Sequence, residues 1–249
     1  MSEVGRDGAD PADSDTIVVP VDLLSLDRLD THSRACVFWQ TDGDPGSSGP
    51  CSSGGGAVAP PASSREDRVF EKEAWLSSIL LQWGVCGLVA ENLGRTVGTA
   101  TYGPTGSVPR TAWFGSGEVG SDAVVLAEIY AVDGEAGRPL EGVRDALLAA
   151  VVADIARRGV KAIETFGLTE HAVDRIGLDA LSACGPIACM AMADFFLARG
   201  FEVVGPHEDF PRLRLEIDGD HEWQEDVEYA LDQLLFEAAL RPAKSVSIR

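Results

Sequence analysis

Basic residues are scarce in this chain, and their scarcity excludes one class of partner. The 249 residues include 20 Lys+Arg against 40 Asp+Glu, which gives a formal net charge of −20. A surface this acidic repels phosphate backbones, so nucleic acid is not expected as a partner. Long apolar runs are also lacking, and we expect no segment to span a membrane.

Cysteine is sparse and follows no recognisable pattern. The five cysteines are odd in number and form no Cys-x-x-Cys pair. A disulfide framework is therefore not expected, and a reducing, cytoplasmic compartment is predicted. The first residues are acidic and polar rather than basic and then apolar, so they do not resemble a secretory signal. The cysteines are Cys36, Cys51, Cys86, Cys184 and Cys189.

Histidine is also rare, with four residues in the whole chain. Two sets of side chains contain the residue types of a metal site, His32 with Cys36, and His171 with Cys184 and Cys189. Neither spacing matches a known zinc pattern, so no metal site is predicted. A nucleophile pair of Cys184 and His171 is not favoured either.

Composition divides the chain into an ordered domain and less structured parts. Residues 1–15 are acidic and are predicted to be disordered. Residues 41–64 are mostly Gly, Ser and Pro, which predicts a flexible insertion. Residues 16–217 are predicted to form a single α/β domain around that insertion. In residues 218–249, apolar side chains recur at helical spacing, which predicts a C-terminal helix followed by a tail.

The ordered stretches alternate between helix and strand patterns. Ser63 and Ser64, with Glu66 and Asp67 three residues on, form a capping signal that begins a helix, and Gly84 ends it. Seven strands are predicted from short apolar or alternating runs. They are Cys36–Trp39, Cys86–Glu91, Arg95–Tyr102, Asp122–Val132, Val160–Phe166, Phe201–Val204 and Arg212–Ile217.

Two further helices separate the later strands. One has its apolar face between Leu140 and Ile155, and the other runs from Pro186 to Arg199. The first connects two strands in a crossover, so Asp122–Val132 and Val160–Phe166 should be neighbouring parallel strands that splay apart at their C-terminal ends. Arg212 and Arg214 alternate along the last strand and are predicted to face solvent.

This order of elements resembles the fold of the GNAT superfamily of N-acetyltransferases. The similarity covers Cys36–Ile217 and is clearest over Asp122–Leu215. One local signature is Leu126–Tyr130 leading through a turn into Gly142–Leu148. The other is Ala193–Phe201, which resembles the "FYxxxGF" end of that superfamily. The resemblance implies a mixed, twisted sheet flanked by helices, and acetyl-CoA as the cofactor.

The chain is also similar to a set of actinobacterial GNAT-like proteins. Those proteins share a CxFW start, a PRLRL strand and a WxxDVE C-terminal helix. The corresponding segments here are Cys36–Trp39, Pro211–Leu215 and Trp223–Glu228.

The resemblance implies that the turn after the long strand binds the CoA pyrophosphate. In the family this turn reads Arg/Gln-x-x-Gly-x-Gly/Ala, and its N–H groups and the following helix N-terminus hold the phosphates. Here Gly142 falls on a family glycine, Pro139 replaces the usual Arg or Gln, and Arg144 replaces the last Gly. Glu141 adds a negative charge. The residues expected to bind acetyl-CoA are Ala131, Val132, Arg138, Gly142, Val143 and Arg144.

Glu128 is the candidate catalytic base. It is the only acid between Asp122 and Val132, on a strand where the superfamily often places a carboxylate that deprotonates the amine. Cys189 and Phe196 occupy the family's Asn and Tyr positions. Phe196 cannot donate a proton, so Cys189 is the candidate proton donor to the leaving thiolate. The alternatives are that Glu128 faces solvent or pairs with an Arg, and that Cys189 belongs to the core.

The resemblance predicts an enzyme that acetylates an unidentified amine, on a small molecule or a protein, and it allows a homodimer. The alternative is a non-catalytic GNAT-fold protein that binds CoA or a protein partner, which the departures at Pro139, Arg144 and Phe196 favour. A third hypothesis is an interaction module without a ligand.

Overall fold

A computed structural model describes residues 16–41, 64–132, 142–176 and 189–217. The strands are β1 (Thr16–Pro20), β2 (Gly87–Asn92), β3 (Arg95–Pro104), β4 (Ala123–Ala131), β5 (Ala162–Phe166), β6 (Glu202–Gly205) and β7 (Arg212–Glu216). The helices are α1 (Thr31–Ala35), α2 (Arg65–Gln82), α3 (Val143–Arg157), α4 (Glu170–Ile176) and α5 (Ala193–Leu197). Short 3₁₀ turns cover Leu26–Arg28, Thr105–Ser107 and Pro109–Trp113. The predicted disordered N-terminus, most of the predicted insertion and the predicted C-terminal helix lie outside the described residues.

Within the described residues, the strands form one mixed sheet of seven, in the order β1-β2-β3-β4-β5-β7-β6. Neighbouring strands are antiparallel except β4 and β5, which are parallel because α3 crosses over between them. The β4–β5 ladder covers only Ala123–Val125 on β4. Beyond it β4 continues to Ala131 along β3 alone. The mixed α/β sheet and its splayed parallel pair, predicted from the sequence, are confirmed.

The two faces of the sheet carry different cores. On one face Leu126 and Ile129 pack against Leu147 of α3 and Phe196 of α5. On the other face an aromatic cluster that includes Trp39, Phe114 and Phe166 covers β4 and β5. Next to this cluster, α2 packs on β2 through Leu76 and Ile79. The central strands are therefore buried on both sides, which explains their continuous apolar sequence. No helix among the described residues is long and apolar enough to cross a lipid bilayer.

The predicted capping signal of α2 is confirmed at Ser64. The Ser64 hydroxyl accepts the Asp67 N–H at 3.1 Å, and the Asp67 carboxylate accepts the Ser64 N–H at 2.9 Å. Each group satisfies a donor that the first helical turn would otherwise leave open.

The prediction of a strand at Cys36–Trp39 is wrong. These residues form a buried turn after α1, in which the Gln40 N–H donates to the Val37 carbonyl at 3.2 Å. The buried Arg110 donates from Nε to the Phe38 carbonyl at 2.6 Å. In a sheet, the backbone of a neighbouring strand would donate to that carbonyl instead. These residues are therefore apolar because they are buried in the core, and not because they form a strand.

The prediction of a continuous helix from Pro186 to Arg199 is also wrong over its described part. Met192 has extended backbone, and α5 begins only at Ala193. The Leu168 N–H donates to the Ala191 carbonyl at 2.9 Å, and the Ala193 N–H donates to the Leu168 carbonyl at 2.8 Å. This bridge to the chain after β5 holds the segment extended where its own pattern favours a helix.

Replacing Gly98 by Ala is expected to destabilise the fold by about 1–3 kcal/mol, the usual effect of overpacking. A Cβ at this position would lie 2.7 Å from Val143 Cγ1, 2.8 Å from the Tyr130 backbone oxygen and 3.0 Å from Leu147 Cδ1. Chemical denaturation measures the effect. The matched control is Gly106→Ala, where a Cβ meets nothing within 4 Å. Equal stabilities of the two variants would show that α3 is not packed this closely on β3.

Candidate active site

A β-bulge decides where Glu128 points. In the β3–β4 ladder Tyr102 pairs with Leu126 and Thr101 with Glu128, so Ala127 is the extra residue. Leu126 packs on the α3 face, whereas Ala127 packs in the aromatic cluster on the opposite face. The bulge interrupts the alternation, so that Glu128 also faces away from α3 and toward α2.

Glu128 is buried against a lysine of α2. Lys72 Nζ lies 3.0 Å from Glu128 Oε2, and the two side chains are 1% and 2% exposed. The Thr101 hydroxyl donates to the same oxygen at 3.3 Å. The other oxygen, Oε1, has no hydrogen-bond partner among the described residues. Glu128 therefore neither faces solvent nor pairs with an arginine, and it keeps one acceptor atom for a further ligand.

Lys72 is protonated at neutral pH. Burial lowers the pKa of Lys72, but the negative charge and hydrogen bond of Glu128 raise it by more, so the pKa lies above its ordinary value. The ammonium lies against the Glu128 carboxyl group, and both groups are buried. The sequence pattern did not single out Lys72 as a functional residue, although it lies on the same helical stripe as the buried Leu76 and Ile79.

A second cluster brings together residues that are distant in sequence. Cys36 Sγ lies 3.3 Å from Cys189 Sγ, and Cys189 Sγ lies 3.6 Å from His32 Nε2. One donor atom from each of the three residues lies within 4.8 Å of the others. The His32 ring stacks on Tyr130, with centroids 4.6 Å apart. We call Cys36, Cys189 and His32 the thiol–imidazole cluster.

The thiol–imidazole cluster is electrostatically linked to Glu128. Burial lowers the pKa of His32, but a hydrogen bond with Cys36 and the negative charges of Cys36, Glu128 and Asp30 raise it to about 9. The neighbouring Cys36 and Cys189 also raise the pKa of Lys72, in addition to the effects of burial and of Glu128. The two clusters therefore belong to one buried polar region on the α2 face of the sheet.

Cys189 and Phe196, which the resemblance places at the Asn and Tyr positions, lie on opposite faces of the sheet. Cys189 belongs to the aromatic cluster on the α2 face. Phe196 is buried against α3 and contacts Phe195 and Phe201. His171 does not contact this region. Its ring is exposed and pairs with Asp209 and Glu208. Cys184 lies outside the described residues.

The residues expected to bind acetyl-CoA lie at the end of β4 and the start of α3. Ala131 is buried and pairs with Gly98 in the β3 ladder, and the Val132 N–H donates to the Val97 carbonyl at 2.8 Å. The Val132 N–H is therefore already satisfied by β3. Arg138, Pro139 and Glu141 lie outside the described residues.

Gly142 ends the undescribed turn and begins α3. It has a left-handed backbone with φ of +82°, and a Cβ added there would meet nothing within 4 Å. Val143, the first residue of α3, is buried, and the next residue, Arg144, is half-buried. Asp145 in the first turn forms an ion pair with Arg199. The first N–H groups of α3, which have no acceptor within a helix, follow Gly142 directly.

The prediction that Arg212 and Arg214 face solvent is wrong. Both are mostly buried and pair with Glu164 of β5, whose side chain is 1% exposed. Arg214 also pairs with Asp122.

No protein-family model matches this chain. No curated protein sequence matches it either. Among solved structures, an N-acetyltransferase from Staphylococcus aureus Mu50 is similar, with 12% identity, a TM-score of 0.45, and coverage of 82% of this chain and 100% of that one. The PaiA N-acetyltransferase from Thermoplasma acidophilum in complex with coenzyme A has 11% identity and a TM-score of 0.44, over 81% of this chain and 98% of that one. An acetyltransferase from Thermus thermophilus has 12% identity and a TM-score of 0.44, over 82% and 99%.

Proposed function

We propose that this chain is an acetyl-CoA-dependent N-acetyltransferase with Glu128 as its catalytic base. The observation that carries the proposal is the state of Glu128. It is a buried carboxyl group, paired with Lys72, with Oε1 free of any partner among the described residues. It follows a bulge on β4, just beyond the point where the β5 ladder ends at Val125.

The splayed strands offer a place for the thioester. Because the β5 ladder stops at Val125, the β4 edge beyond it can offer backbone groups to a ligand. An N–H group there could donate to the thioester oxygen as negative charge develops on it. The described residues fit an acetyl-CoA donor to this extent, with α3 supplying N–H groups near the phosphates.

The reaction needs one proton transfer at Glu128. The amine nitrogen attacks the acetyl carbon, the C–N bond forms, and the C–S bond breaks to release the CoA thiolate. The proton lost by the amine passes to Glu128 Oε1, directly or through one water. A thiolate is a good leaving group because thiols are fairly acidic, so a proton donor such as Cys189 is not required for bond cleavage.

The acceptor is proposed to be a cationic amine, on a small molecule or a protein. The formal charge of −20 raises the local concentration of cations around the chain. We propose polyamines, aminoglycosides and lysine-containing peptides as the first panel of acceptor amines to test. A cytoplasmic location remains a prediction.

Titration calorimetry with acetyl-CoA, followed by mass spectrometry of the panel after incubation, tests the proposal. Saturable binding and acetylated products that require the protein are expected. Absence of acetyl-CoA binding would overturn the proposal. Binding without transfer to any amine would instead favour the non-catalytic alternative.

Replacing Gly142 by Asp is expected to weaken acetyl-CoA binding by about tenfold or more, about 1.4 kcal/mol. The change places a negative charge at the helix N-terminus that the phosphates would approach. Gly159→Asp is the matched control. Gly159 also has a left-handed backbone and open space, with φ of +68°, but it lies at the other end of α3. Calorimetry on both variants measures the difference, and equal losses of affinity would place the phosphates elsewhere.

A further inference from the structure

We infer that the thiol–imidazole cluster is a zinc site, in which Cys36, Cys189 and His32 bind one Zn²⁺ and a fourth coordination position stays open. The sequence spacing predicted no metal, because two ligands are four residues apart and the third is 153 residues from Cys36. The inference is independent of acetyl transfer, and its test does not use turnover.

The donor atoms are spaced as zinc ligands are. With bonds of about 2.3 Å to sulfur and about 2.0 Å to nitrogen, tetrahedral zinc separates two sulfurs by about 3.8 Å and a sulfur from a nitrogen by about 3.5 Å. The observed Cys189 Sγ to His32 Nε2 distance is 3.6 Å. The two sulfurs are 3.3 Å apart, so they would need to separate by about half an ångström to reach the tetrahedral value.

A disulfide explains the cluster less well. Its sulfurs would have to approach to about 2.05 Å, which is a larger movement than zinc requires. A disulfide also gives no role to the third donor, His32, which lies as close to Cys189 as a shared metal would place it. Two thiolates and an imidazole are the donor types that zinc prefers.

The ligands are held in place by neighbouring groups. The Asp30 carboxylate accepts the N–H groups of His32 and Ser33 at 2.9 and 3.0 Å, which fixes the start of α1. The Thr99 hydroxyl of β3 donates to the same carboxylate at 2.7 Å. The stacking of His32 on Tyr130 sets the ring plane. Such outer contacts orient ligands in metal sites.

Charge and access also favour a cation. Lys72 and Glu128 beside the cluster neutralise each other, so the surroundings do not repel a metal ion. Cys36 and Cys189 are 1% and 6% exposed. His32 is only half-buried, so an ion can reach the cluster from its side.

Zinc ligation changes the role of Cys189. A ligating thiol is deprotonated, so Cys189 could not also donate a proton to a leaving thiolate. Zinc would instead join the end of α1 to the segment before α5, next to the bulge that carries Glu128. Three protein ligands and an open position are the arrangement in which zinc binds water or a substrate atom.

Metal content of the full chain tests the inference. The purified protein is stripped of metal under reducing conditions and titrated with Zn²⁺ against a colorimetric chelator. One equivalent is expected to bind. Cys36→Ser, Cys189→Ser and His32→Gln should each weaken binding by about 100-fold or more, since even outer-shell changes cost about 10–100-fold. Cys86→Ser, a change of a buried cysteine outside the cluster, should leave binding unchanged.

Co²⁺ titration of the wild-type chain keeps the test valid if a variant fails to fold. Thiolate-to-cobalt charge-transfer absorption with intense d–d bands is expected, as for a four-coordinate site with two sulfurs. The inference is overturned if the chain binds no zinc, if the Cys86 variant loses as much affinity as the others, or if Cys36 and Cys189 are found as a linked peptide after incubation with zinc under mild reduction.

Discussion

Replacing Lys72 by Met is expected to lower the free energy of unfolding by about 3–5 kcal/mol, because it leaves the charge of Glu128 uncompensated in the interior. Lys72 and Glu128 are 1% and 2% exposed, and their atoms are 3.0 Å apart. Among the described residues, Thr101 alone would remain as a hydrogen-bond partner of the carboxylate. Met keeps the length of the side chain, so the loss would report the charge and not a cavity.

The double variant Lys72→Met/Glu128→Leu removes both charges together. Its stability is expected to recover most of the loss, because a buried ion pair can be replaced by apolar residues at little cost. Chemical denaturation of the two single variants and the double variant gives the coupling energy.

A neighbouring pair on the same helix supplies the control. Glu73 pairs with Arg34 at 3.0 Å, but both side chains are about one-third exposed. Glu73→Gln should therefore change stability by no more than about 1 kcal/mol. If Lys72→Met were as mild as Glu73→Gln, the Glu128 carboxylate would not be isolated from water as its burial indicates.

The order of the elements from α2 to β5 could be predicted because it rests on local patterns. The apolar run of β4, the apolar stripe of α3 and the run of β5 each have a clear period, and the crossover rule then makes the strands parallel neighbours. The Ser64 capping box was predicted correctly for the same reason, since both partners lie within one turn.

The errors occurred where contacts between distant segments override a local pattern. The Cys36–Trp39 run is too short for periodicity to separate a strand from a buried turn. The segment around Met192 has a helical pattern, but its bridge to Leu168 holds it extended. Arg212 and Arg214 alternate as a solvent face would, and only the position of Glu164 on β5 explains their burial.

The candidate site was predicted only in part. The isolated acid in an apolar strand identified Glu128, whose burial the structure shows. The pairing with Lys72 depends on how α2 packs over the sheet, which the sequence does not show. The bulge at Ala127 contains no glycine or proline from which it could be predicted. The thiol–imidazole cluster joins the end of α1 to a segment 153 residues away, so no spacing rule could find it.

Replacing Glu128 by Gln is expected to lower turnover by about 10²–10⁴-fold, the usual contribution of a general base. Gln can still accept a hydrogen bond from Lys72 but cannot take up the proton of the amine. Acetyl-CoA binding should survive, because the phosphates are proposed to bind at the start of α3. The measurement is the initial rate with an amine that the wild-type protein acetylates, together with calorimetric binding.

Loss of folded protein must be separated from loss of the base, since Glu128→Gln leaves the Lys72 charge uncompensated. Lys72→Met/Glu128→Gln carries neither charge and should show the same low turnover per folded molecule. Glu164→Gln is the matched control, because Glu164 is also a buried, ion-paired carboxylate of the central sheet. It should lose stability but keep its turnover per folded molecule. Wild-type turnover in Glu128→Gln would mean that Glu128 is not the base, and that the proton leaves through water or another group.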